Sequence, residues 1–214
     1  MVKRGLAFGA PFLLAITLAF APWTSSHTAA QMGPMAGQPL DQLSGDEFDQ
    51  TFLMQMTMHH AMAVVMARPL VANAQHQELK DLGTMIIEGQ TREVNQMRGW
   101  LKEWYAVDMP DMIGMMDAMP PGQGMPMPPG QGMPMGQMHG MSTMADLWTL
   151  PPARLEVVFM SLMIPHHQGA IDAAMLVPDR AAHQELTDLA KSIVESQSME
   201  IQRMNGWLAS WYGL

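Results

Sequence analysis

The 214-residue sequence predicts an all-α fold, a four-helix bundle assembled from two copies of one helical hairpin. Three observations carry the prediction. First, residues Phe48–Tyr105 align without a gap on Leu155–Tyr212, 107 positions later, with 23 identities in 58 positions, the mark of one supersecondary unit used twice. Second, apolar residues recur at helical spacing. Phe48, Phe52, Met56, His59, Ala63 and Met66 share one face, and Leu79, Leu82, Ile86, Gln90, Glu93, Met97, Trp100 and Trp104 form one stripe, at about 100° per residue. Third, capping and breaking residues fall between the periodic runs. Hairpins with one apolar stripe each cannot bury it alone, so two of them pack together with pseudo-two-fold symmetry.

Taken in order, residues 1–30 read as a secretory signal. Lys3 and Arg4 precede the apolar run Leu6–Phe20, and Thr28-Ala29-Ala30 offers small residues for cleavage, so the mature chain is expected to start near Gln31. An uncleaved anchor is the alternative, but the run is short for a bilayer span of ~20 residues and contains Pro11. Residues 31–43 form a loose Gly/Pro/Gln/Met arm, and 44–106 the first hairpin. Ser44 with Glu47 three residues later fits a capping box, so a helix should start near Gly45 and end near Pro69. Asn73 is placed to cap a second helix over about 74–105.

Residues 107–148 are a Met/Pro/Gly-rich linker containing the tandem octapeptide PPGQGMPM at 120–127 and 128–135. That composition predicts a segment that neither packs nor forms helix. The second hairpin occupies 149–214. Pro151-Pro152 opens a third helix running to about Leu176, with Leu155, Phe159, Met163, His166, Ala170, Ala173 and Val177 on its inner face and Pro165 expected to kink it at the histidines. Asp179 is placed to cap a fourth helix over about 180–212, on which Gln197, Glu200 and Met204 recur. Trp100, Trp104, Trp207 and Trp211 are expected to cluster at the helix ends away from the hairpin turns.

Composition narrows the function. A net charge of −9 argues against nucleic acid or an anionic membrane surface as partner, and beyond the signal no apolar run is long enough to span a bilayer. With no Cys, disulfides and thiolate metal sites are impossible. The 27 Met are far more than a core of this size needs, and Met is both a flexible filler and a soft thioether ligand. Twelve of them lie between Met109 and Met144, where a packed core is not expected. Low-complexity drift in a spacer is the bland explanation there, and capture of soft ions the functional one.

The chemistry concentrates in an adjacent histidine pair that occurs twice, His59-His60 and His166-His167, each with a methionine three residues before it, Met56 and Met163. Imidazole with thioether suits Cu(I), and also Ag(I), and suits Mg or Ca poorly. Met54, Met58, Met62 and Met66 add thioethers along the outer and edge faces of the first helix. Glu93 and Glu200 interrupt the apolar stripes, and a buried carboxylate needs a partner. They, with Met97, Met204, His76 and His183, are candidates to orient the ligands or replace them. Purely structural hydrogen bonding between the histidines and Glu93 and Glu200 is the competing reading. A di-iron carboxylate site, known in helical bundles, would require Glu-x-x-His, but Met56 and Met163 stand at those places. A bundle that binds only a protein partner leaves the Met excess unexplained. The expectation is therefore a metal-binding protein and not an enzyme.

Met-x-x-His-His with Ala four residues after the first His (Ala63, Ala170), a downstream His-x-Glu-Leu, Gln197-Ser198-Met199-Glu200-Ile201-Gln202-Arg203-Met204 and Trp-Leu-x-x-Trp together resemble the domain-of-unknown-function 305 family, most specifically at Met163–Asp172. The resemblance covers roughly 45–105 and 150–212, leaving out the linker. It implies a ferritin-like bundle and a relationship to exported proteins that bind Cu(I) or Ag(I) through Met and His. The implied setting is periplasmic or secreted, in copper tolerance or homeostasis, with other copper-handling proteins as exchange partners.

Overall fold

The computed structural model describes residues 39–118 and 147–214, and every regular element among them is helical. After a 3-10 turn at Leu40–Gln42, α1 spans Gly45–Asn73 and α2 Gln77–Tyr105; a short α3 covers Met112–Asp117. The second hairpin holds α4 (Pro152–Ala174), a single turn α5 (Val177–Arg180) and α6 (Gln184–Trp207), which closes with a π-helical turn over Leu208–Tyr212. The all-α bundle of two repeated hairpins is therefore present. The predicted signal and most of the arm lie outside the described residues, as does 119–146 of the linker. No helix among the described residues is long and apolar enough to cross a membrane.

The hairpins meet along α1 and α4 and run antiparallel, because each hairpin's turn is tied to the start of the other's first helix. Glu156, near the start of α4, accepts the backbone N–H groups of Gln75 (2.7 Å) and His76 (2.8 Å) and the His76 Nδ1–H (2.7 Å). Its repeat partner Asp49, near the start of α1, accepts from Ala182 N–H (3.1 Å), His183 N–H (3.0 Å) and His183 Nδ1–H (2.8 Å). Both carboxylates are fully buried.

These bonds correct the local capping expectations. Asn73 is the last residue of α1 and Asp179 lies in α5; the helices they were expected to cap start at Gln77 and Gln184, after His76 and His183. The N–H groups of the two residues just before each helix are satisfied from the opposite hairpin. At the start of α1, Ser44 holds the cap position but makes no side-chain bond, because Gly45 enters at φ +62° and turns the chain aside. Nor does Pro69 end α1. It sits four residues from the end, buried, and Leu70 and Ala74 beyond it go into the core, so packing carries one more turn past the missing N–H.

The tryptophans also differ from expectation. They form two separate stacks, Trp100 on Trp104 (5.0 Å between centroids) and Trp207 on Trp211 (5.1 Å). Each stack lies away from its own hairpin turn and covers the turn histidine of the other hairpin: Trp104 on His183 and Trp211 on His76, both at 3.9 Å. The antiparallel arrangement sends the two stacks to opposite ends.

The linker is not free throughout. Met112 and Met116 of α3 are buried against Ala61 and Met62 of α1, and at its other end Leu147 is fully buried against the core. Met at helical spacing supplies the apolar face that the expectation denied to this segment.

Candidate metal centre

Two apolar half-cores fill the bundle. One gathers Phe48, Phe52, Met56, Met97, Leu101, Ala170 and Ile193; the other Ala63, Leu82, Ile86, Phe159, Met163 and Met204. Along every long helix the chain passes from one half-core to the other through polar residues: His59 and His60 on α1, Gln90 and Glu93 on α2, His166 and His167 on α4, Gln197 and Glu200 on α6. The polar positions that interrupt the four stripes thus form one central layer. Met56 and Met97 border it on one side, Met163 and Met204 on the other.

Within the layer the histidines divide their tasks. His60 Nε2–H donates to Glu93 Oε2 at 2.9 Å and His167 Nε2–H to Glu200 Oε2 at 2.6 Å, each within its own hairpin. A ring that donates from Nε2 to a carboxylate keeps its lone pair on Nδ1. Both Nδ1 atoms are enclosed and have no partner among the described atoms. His59 and His166 meet across the hairpin interface with ring centroids 3.6 Å apart. His59 Nδ1 and both nitrogens of His166 are likewise enclosed and unpartnered. Burial, followed by the nearby His60 and His167, holds His59 down to about 3; burial followed by His59 depresses His166 well below the ordinary 6.5. Both rings are therefore neutral, with lone pairs available, near neutral pH.

The helical period places His59 and His166 on the inner faces. Depth runs the other way: His60 and His167 are fully buried, His59 and His166 half-buried. The inner face of α1 is wide enough to serve two neighbours, α2 on the His60 side and α4 on the His59 side.

Gln90 and Gln197, side chains buried and unpartnered, complete the layer and line a cleft of about 800 Å³ between α2 and α6, together with Glu93 and Glu200. The cleft opens the glutamine and glutamate side of the layer toward solvent. Five enclosed ring nitrogens and two orphan amides in one layer are costly, on the order of 1–3 kcal/mol for each buried group without a partner, unless water or a ligand meets them. Among the described residues no three His, Asp or Glu side chains converge closely enough to hold one ion. A site in this layer that draws in the bordering thioethers suits a soft ion and suits a di-iron site poorly.

The other predicted candidates fall elsewhere. Met62 is not an outer-face residue but is buried under α3, and Met66, as its place on the apolar face implies, lies in the half-core beside Leu70, so core packing accounts for part of their presence. His76 and His183 lie at the hairpin turns, engaged by Glu156 and Asp49, and are not in the layer. Asp49 and Glu156 carry no metal-ligand signature in the sequence; the signal that marks them is an acidic residue at one repeat register in both hairpins. Gln90 and Gln197, which the helical period places on the same stripes, belong to the layer as well.

Among proteins of curated function none matches this chain. Solved structures do. The chain is similar to CopM in its Cu(I)-bound form (30% identity, 77% of this chain and 97% of that one, TM-score 0.58) and in its Cu(II)-bound form (32%, 77% and 97%, TM-score 0.60). A DUF305 protein from Streptomyces coelicolor, provisionally described as secreted, is 27% identical over 75% of this chain and 92% of its own, with TM-score 0.57. The family profile "Domain of unknown function (DUF305)" matches residues 23–84 and 49–208. With that match spanning both hairpins and the central histidine layer, the chain belongs to the DUF305 family.

Proposed function

We propose that this protein is an exported carrier of soft metal ions, Cu(I) and also Ag(I), acting in copper tolerance or homeostasis, and that it binds without catalysing a reaction. One observation carries the reading: enclosed, unpartnered ring nitrogens of His59, His60, His166 and His167 gathered in one bundle layer between the thioethers Met56 and Met163. The ion is cargo. Glu93 and Glu200 orient His60 and His167 from behind, with Met97 and Met204 at hand in the bordering layers. The metal-bound forms of CopM support the choice of ion. The reading of residues 1–30 as a signal, with the secreted description of the Streptomyces relative, supports export, after which other copper-handling proteins are the natural exchange partners.

Competition titration of the protein with Cu(I) under reducing conditions tests this. His59→Ala with His166→Ala should abolish tight binding at the bundle centre while circular dichroism stays helical. Unchanged affinity would overturn the site. Glu93→Gln with Glu200→Gln should weaken Cu(I) binding by about ten- to a hundredfold without abolishing it; iron binding that these changes abolish would instead establish the di-iron alternative.

A further inference from the structure

The methionine excess is not absorbed by the central layer. Next to α1, outside the bundle, Met62, Met112 and Met116 are buried with Ala61, and Met58 and Met109 are half-buried against them. Val65 and Ile113 fill the margin. Met58 and Met62 are one turn apart on α1, and Met112 and Met116 one turn apart on α3, so both pairs present thioethers on one face.

Three features separate this cluster from ordinary core. Its buried members include no Leu, Ile, Val or Phe, whereas the two half-cores are built on Phe52, Leu53, Leu79, Leu82, Leu101 and Phe159. It is absent from the repeat: Pro165 and Gly169 stand where Met58 and Met62 do, although the bundle methionines Met56 and Met97 have counterparts in Met163 and Met204. Its geometry is set without relying on the methionines. Arg98 Nε–H donates to the Met109 carbonyl at 2.9 Å, Asp111 caps α3 through Gly114 N–H at 3.1 Å, and Arg68 pairs with Asp117. A sulfur-rich cluster with no carboxylate or imidazole among its members offers hard cations nothing and a monovalent soft ion several thioethers.

We propose that Met58, Met62, Met109, Met112 and Met116 form a second soft-metal site, all-thioether and independent of the histidine layer, that takes Cu(I) or Ag(I) at the surface of α1. The probe is Ag(I), which is redox-inert, added to full-length protein labelled with ¹³C in the methionine methyl groups. The background carries His59→Ala and His166→Ala, so that failure of the central site and failure of this one are read separately. The methyl signals of these five residues should move together and saturate at one equivalent. Met112→Leu with Met116→Leu, a volume-conserving change, should remove one Ag(I) from the stoichiometry and leave the Met62 signal still. Signals from the five that stay in place while other methionines shift would overturn the proposal, as would an unchanged stoichiometry in the Leu variant.

Discussion

The centre and the ends of the bundle hold the same chemistry in different states. Both contain histidines repeated by the same symmetry, each against a carboxylate: His60 with Glu93 and His167 with Glu200 at the centre, His76 with Glu156 and His183 with Asp49 at the ends. At the ends every acceptor finds a donor. The carboxylate holds two backbone N–H groups, the ring stacks on a tryptophan, Tyr212 and Tyr105 reach Glu156 and Asp49 through their hydroxyls, and part of the imidazole meets solvent. Burial and then the bond to Glu156 raise Tyr212 to about 12, while the hydrogen bonds into Glu156 outweigh its burial and hold it below the ordinary carboxylate range. At the centre the pairing is incomplete, and enclosed nitrogens are left over. Repetition marks both places. Only unsatisfied bonding capacity separates the place that can receive a ligand from the place that holds the fold.

The comparison can be broken most forcefully at the ends. Asp49→Ala leaves the N–H groups of Ala182 and His183 without their acceptor inside the protein, and should cost about 3 kcal/mol, or roughly 6–12 °C in Tm for a chain of this size. Its Cu(I) affinity should equal that of the wild type. A loss of affinity with intact helix would show that the ends belong to the site. At the centre the balance reverses. Glu93→Gln with Glu200→Gln should lower Cu(I) affinity by about ten- to a hundredfold, as expected when a ligand's orienting partner is changed, with little change in Tm.

Acid should act on the centre first. In the unfolded chain His59 and His166 take up protons near pH 6.5, whereas in the bundle His59 does so only near pH 3 and His166 well below its ordinary value. Acid therefore favours the unfolded chain, and the stability present above pH 6.5 is lost as pH falls toward 3. Glu156, held low in the fold, adds a loss of the same sign below 4.5. Thermal melts of metal-free protein should show Tm falling from pH 7 to 5, with a flatter slope in the His59→Ala, His166→Ala variant. A slope unchanged by those substitutions would assign the acid sensitivity elsewhere. The smallest effect is expected at Ser44→Ala, within about 0.5 kcal/mol. Its hydroxyl caps nothing, and a loss near 1 kcal/mol would restore the capping box.

The sequence by itself determined the repeat, the helix count of the bundle, the four interrupted stripes and the residue types of the central layer. These depend on helical period and on the cost of burying polar groups, both readable along one chain. Tertiary structure alone decided three further matters. His60 and His167 are the deeper of each pair because α2 covers His60 and α6 covers His167, and no single-helix period shows where a neighbour lies. The caps of α2 and α6 come from Glu156 and Asp49, 80 and 134 positions from the N–H groups of His76 and His183 that they satisfy, beyond any local capping pattern. The start of the linker folds as α3 because α1 offers Ala61 and Met62 to its methionines, a surface that exists only once the helix has formed.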